Sequence, residues 1–217
     1  TMGKYLEMAR EPISSLSHCI GAVFFALAST LLIGKSAFDG AQPSVVVGVV
    51  VFSLSLVALY SASAIYHFAR GSERKILRLR KLDHSMIYVL IAGSYTPILI
   101  KFLPEQESLV FVSVIWACAI VGVVIKLCWF SAPRWLQTVL YLLMGWAVLF
   151  DVSIFQQMSG MALLLLAAGG ISYTLGAIIY MMKWPNFTKV FGFHENFHMF
   201  ILAGSFFHYL LVLFFVA

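Results

Sequence analysis

Residues 45–66 read VVVGVVVFSLSLVALYSASAIY, 22 consecutive positions without a charge. As a helix this run covers about 33 Å, enough for a hydrocarbon layer of about 30 Å. Its apolar residues do not alternate with polar ones, so it does not read as a barrel strand. In lipid every backbone N–H and C=O must be paired within the segment, so the run must be a helix. His67 follows at its end, and then a basic stretch.

Six further runs lack charge: residues 16–33, 86–100, 109–125, 136–150, 161–182 and 199–217. Gly34, Gly40 and Pro43 divide the first two runs, and Pro104, Pro133, Ser159-Gly160 and Pro185 divide later ones. Pro97 alone falls inside a run and should kink the third helix. The chain of 217 residues is 62% hydrophobic and 11% charged, against about half and a quarter in a soluble domain. That excludes a soluble enzyme, a disordered chain and a coiled coil. The expected fold is all-α: a single seven-transmembrane bundle over residues 1–217, with 1–15 as a cytoplasmic N-terminal segment.

Charge sets the orientation. The N-terminal segment and the second–third, fourth–fifth and sixth–seventh connections hold twelve Lys and Arg, against Lys35 and Lys101 on the other side. The positive-inside rule puts the N-terminus in the cytoplasm and the C-terminus outside. The net charge of +5 is then chiefly a topological signal, and the basic second–third connection could also meet anionic head groups. No removable signal peptide is expected, Thr1 ahead of Met2 is set aside as a cloning remnant, and the first run is expected to serve as an uncleaved anchor. Cys19, Cys118 and Cys128 form no CxxC pair and read as small buried residues.

Polar groups within spans are costly and functional by default. With this topology His67 ends the second helix at the cytoplasmic face, where Asp83 and His84 open the third and His194 to His198 open the seventh. His194 and His198, four apart, share a helix face and could both reach one metal ion. With His67 they make three histidines and one open position, the pattern of a catalytic zinc site. Asp83 would take a proton from the water there. Ser63, one turn before His67, could bond that water or a substrate carbonyl. The bland alternative is interfacial histidines bonded to backbone or lipid head groups. His208, about 15 Å farther along its helix than His198, reads as a buried hydrogen-bonding residue. His84, about 100° round from Asp83, reads as structural, and His18 with Glu11 is ambiguous, a polar cluster at a helix start being the bland reading. The Phe, Trp and Met stripes read as lipid-facing or packing surfaces.

The strings Ser63-Ala64-Ile65-Tyr66-His67, Lys81-Leu82-Asp83-His84 and Ala92-Gly93-Ser94-Tyr95-Thr96-Pro97 resemble the bacterial hemolysin III family. So do Tyr141-Leu142-Leu143-Met144-Gly145-Trp146 and His194-Glu195-Asn196-Phe197-His198 with His208. That family lies within the wider progestin and adipoQ receptor family and is similar to alkaline ceramidases. The resemblance implies seven helices with the N-terminus inside, and Zn²⁺ on His67, His194 and His198. It also implies an Asp83 that contacts the zinc water, with Ser63 nearby. Ser14 stands where bacterial relatives often carry an asparagine.

Three functions are therefore expected to compete. The first is a zinc-dependent hydrolase cleaving a lipid amide or ester, ceramidase-like, near the inner face of a bacterial plasma membrane. The second is a membrane-lytic, pore-forming hemolysin. No span carries a polar stripe suited to lining a channel, so oligomerisation would have to build the pore. The third is a receptor-like lipid-homeostasis protein with structural zinc. Membrane lipids are the expected partners, and nucleic acid is not.

Overall fold

The computed structural model describes residues 5, 7–188 and 191–217. Thr1, Met2, Lys4 and Lys189, used in the sequence reading, lie outside them. The described residues are helical, with no strand. The long helices are α1 (Pro12–Phe38), α2 (Pro43–Phe68), α3 (Glu73–Phe102) and α4 (Glu105–Cys128). A shorter α5 (Arg134–Gly145) follows, then α6 (Gly160–Met182) and α7 (Phe193–Phe215). A 3-10 turn (Ala147–Phe150) and a single helical turn (Ser153–Gln156) join α5 to α6. Six helices, all but α5 of those labelled, are long and apolar enough to cross a membrane. The protein is a multi-pass membrane helical bundle.

Proline opens α1 and α2 at their first positions, where its missing N–H is no loss. Ser72 caps α3 by accepting from the Lys75 amide, with Glu73 in the first turn. This cap explains a difference from the sequence reading. The basic stretch before residue 86 was expected in the connection, yet it forms the first turns of α3. Lys, Arg and Leu are strong helix formers, and a good cap leaves nothing to stop them.

The fifth run differs more. Residues 136–150 were expected as one spanning helix, but α5 ends at Gly145 after 12 residues, about 18 Å of rise. The break is held from outside the segment. The Tyr95 hydroxyl on α3 donates to the Gly145 carbonyl at 2.7 Å and accepts from the Val148 amide at 2.9 Å. One side chain thus satisfies two of the backbone groups that a helix end leaves open.

The tightly packed pairs are α1 with α2, α2 with α3, α3 with α4 and α6 with α7, and α7 closes back on α1. Phe25, Leu32, Phe52, Leu56, Tyr60, Leu99 and Leu211 form the centre of the core. Gly93 lets α2 and α3 approach: a Cβ there would lie 2.2 Å from the Ser55 hydroxyl, the small-residue packing that membrane helices use. Large apolar side chains such as Leu27, Leu31, Leu164 and Phe214 lie on the outside, as lipid-facing positions should. Cys118 and Cys128 are exposed on α4 rather than buried, and only Cys19 is partly covered. A lipid-facing helix surface accepts a small apolar thiol as readily as a core does.

Candidate metal centre

Three chain regions meet at one end of the bundle. His67 is one residue from the end of α2, and His194 and His198 are in the first turns of α7. His67 and His198 are each only 1% exposed. One ligand atom from each of the three lies within 4.8 Å of the others. The Nε2 atoms of His67 and His194 are 3.3 Å apart. Two nitrogens bound to zinc at about 2.0–2.1 Å with a tetrahedral angle lie roughly 3.3 Å apart, so this pair already has the required spacing.

The other ring nitrogens support the same assignment. His67 Nδ1 donates to the Glu11 carboxylate. The Ser17 hydroxyl donates to the Ser14 carbonyl at 3.0 Å, so its oxygen accepts from His198 Nδ1 at 3.4 Å. Both imidazoles therefore carry hydrogen on Nδ1 and present a bare Nε2. Histidines that bind metal are oriented in this way. A donor set of three imidazoles is one that suits zinc.

The segment before α1 supplies the orienting groups. Glu11 and Arg10 donate their amides to the His67 and Phe68 carbonyls at 3.0 and 3.3 Å, pinning the entry to α1 against the end of α2. Arg10 stacks over Tyr66 at 4.4 Å and pairs with Glu11 at 3.3 Å. Partial burial pushes the Glu11 carboxyl up, but its bond to His67 and the Arg10 guanidinium beside it hold it down at about 2. It remains an ionised acceptor for His67 at any ordinary pH. Replacing Glu11 by Gln should weaken zinc binding about 10–100-fold, read by competition with a chromophoric chelator. Unchanged affinity would show that His67 needs no orienting carboxylate.

Asp83 and Ser63 line one cavity with His194 and His198, and the Ser63 hydroxyl lies beside the Asp83 carboxylate. The expected five residues thus gather at one place. His84 is closer to the chemistry than its helical angle suggested. Its Nε2 is 3.9 Å from Asp83, and its ring stacks on Phe130. His18 is also drawn in, its ring parallel to that of His198 with centroids 3.6 Å apart, and neither of its nitrogens has a partner. Ser14 bonds Glu195 at 2.7 Å and so ties α1 to the start of α7. Ser17 was not expected in the site, and the sequence left the role of Glu11 and His18 open. The usable signal was spacing: Glu11 and His18 are seven apart, two turns on one face.

The cavity holds about 360 Å³ and reaches from this cluster along α3, α6 and α7 to His208. Away from the histidines its walls are mostly apolar, with Leu59, Ile87, Ile91, Leu163 and Ile201 among them.

A family model described as haemolysin-III related matches residues 6–209. Hemolysin-3 of Bacillus cereus is 32% identical over 220 residues, covering 99% of this chain and 96% of that protein. The hemolysin-3 homolog of Bacillus subtilis (strain 168) is 33% identical over 206 residues, covering 94% and 93%. The adiponectin receptor protein of Drosophila melanogaster is more distant, 27% identical over 214 residues, with 89% of this chain and 48% of the receptor aligned. With nearly its whole length matched, the chain belongs to the haemolysin-III-related family.

Proposed function

We propose that the protein is a zinc-dependent hydrolase of the plasma membrane that cleaves a lipid amide or ester near the cytoplasmic face. One observation carries this reading: three imidazoles converge on one point at the polar end of a long apolar cavity that also receives Asp83 and Ser63. Zinc held by His67, His194 and His198 would supply a Lewis acid and make water nucleophilic near neutral pH. Asp83 takes the proton from the attacking water and returns it to the leaving nitrogen or oxygen. Ser63 orients the Asp83 carboxylate. The apolar walls bind the acyl chain and keep bulk water from the reacting carbonyl.

The reading includes seven crossings with the N-terminus inside. His67 ends α2 and His194 begins α7, yet their nitrogens are 3.3 Å apart. An even number of crossings must therefore separate them. With α3, α4 and α6 long enough to span, α5 and its 3-10 continuation make the fourth. The contact of Lys35, near the end of α1, with the Ala217 carbonyl at 2.6 Å supports the same count, because an odd total places those two ends on one side.

Purified protein in liposomes should release fatty acid from a ceramide or an acyl ester. Stripping with a chelator should stop the release, and zinc should restore it. No release by zinc-loaded protein from either lipid class would end the proposal. The relatives' name makes lysis a second outcome of the same preparation: dye leakage that survives metal removal would replace the hydrolase with a pore.

A further inference from the structure

The cavity's polar groups are not all at the histidine end. Far along it lies His208, ten residues after His198 on α7, about 15 Å of helix rise. It is 9% exposed and lines the cavity. The fit of its ring is built into the fold. A Cβ on Gly169 of α6 would lie 2.1 Å from that ring, so a side chain there would exclude the histidine.

Most polar groups near it are already engaged. The Tyr60 and Tyr173 hydroxyls both meet the Ser205 hydroxyl, at 2.7 and 2.8 Å. Thr174 donates to the Gly170 carbonyl and accepts from Trp146, at 2.7 and 3.0 Å. His208 differs. Its Nε2 lies 3.4 Å from the Leu166 carbonyl, which can only accept, so the hydrogen sits on Nε2. That leaves Nδ1 as a bare acceptor, buried and without a partner. A buried polar atom with no partner costs free energy, and an apolar side chain would have filled the place at no such cost.

We infer that His208 is a recognition point for a hydrogen-bond donor carried midway along the ligand's chain, a hydroxyl in particular. This rests on the reading that the cavity takes an acyl chain with its carbonyl at the histidine cluster. About 15 Å corresponds to roughly a dozen chain carbons, given C–C bonds of about 1.52 Å in a zigzag. Ricinoleate, an oleate with one mid-chain hydroxyl, has that form. Its oxo analogue places an acceptor against Nδ1 and has nothing to donate.

The test is displacement of a fluorescent fatty acid from the zinc-loaded full chain by oleate, ricinoleate and the oxo analogue. Ricinoleate should bind about tenfold more tightly than oleate, the worth of one satisfied buried hydrogen bond, and the oxo analogue no more tightly than oleate. In a His208→Leu variant that still binds oleate, ricinoleate should lose its advantage. Equal binding of oleate and ricinoleate by the native chain would overturn the inference and leave the acyl-chain cavity standing, as would an advantage that survives in the variant. Failure of all three to displace the probe would overturn both. The comparison of hydroxyl with oxo ligand in the native chain decides the matter even if the variant does not fold.

Discussion

Protein carrying both His194→Ala and His198→Ala should purify without zinc, whereas the native chain should hold one ion per molecule. The two imidazoles lie one turn apart on α7 and, with His67, make up the metal-ligand group found among the described residues. Structural zinc bound by four ligands is worth about 10–16 kcal/mol, or about 2.5–4 per ligand. Removing two should cost about 5–8 kcal/mol, a fall in affinity of about 10⁴–10⁶-fold. Elemental analysis reads the outcome, and unchanged zinc content would end the metal assignment. Because His198 also stacks on His18, the double variant removes packing as well as ligands. A thermal melt controls for this. Zinc should raise the midpoint of the native chain, since a ligand that binds only the folded state stabilises it. It should leave that of a folded variant unmoved.

The features legible in the sequence were those carried by local pattern. Long apolar runs marked the six long helices, because lipid permits little else there. The four-residue spacing of His194 and His198, and the end position of His67, were enough to bring the three together. What escaped depends on contacts between distant segments. Nothing in residues 136–150 announces a break after Gly145; the hydroxyl that holds it belongs to Tyr95, 50 residues earlier. Glu11 reaches His67 only because the segment before α1 is pinned to the end of α2. His18 meets His198 only because α7 packs against α1. The helical start of α3 was visible in principle in Ser72 and Glu73, but the density of charge argued for a loop. Charge reports which side of the membrane a segment occupies, not whether its backbone is helical.

An Asp83→Asn variant should retain its zinc and lose hydrolysis. Asparagine keeps the shape of the side chain and its neighbour Ser63, so the three imidazoles, held by Ser17, Glu11 and one another rather than by Asp83, should keep their positions. What disappears is the ability to take a proton. Positioned proton transfer is worth about 10²–10⁴-fold, and fatty-acid release should fall by that factor with zinc content unchanged. Glu11→Gln should behave in the opposite way. Its zinc affinity falls, and its rate returns once zinc is saturating, because Glu11 touches His67 and not the reacting atoms. The pair separates two roles that a loss of activity alone would merge. If Asp83→Asn lost zinc together with activity, the carboxylate would be a support for the metal rather than a base. If it kept both, the proton would have to leave by another route, and His84, whose Nε2 lies 3.9 Å from Asp83, would be the next group to replace.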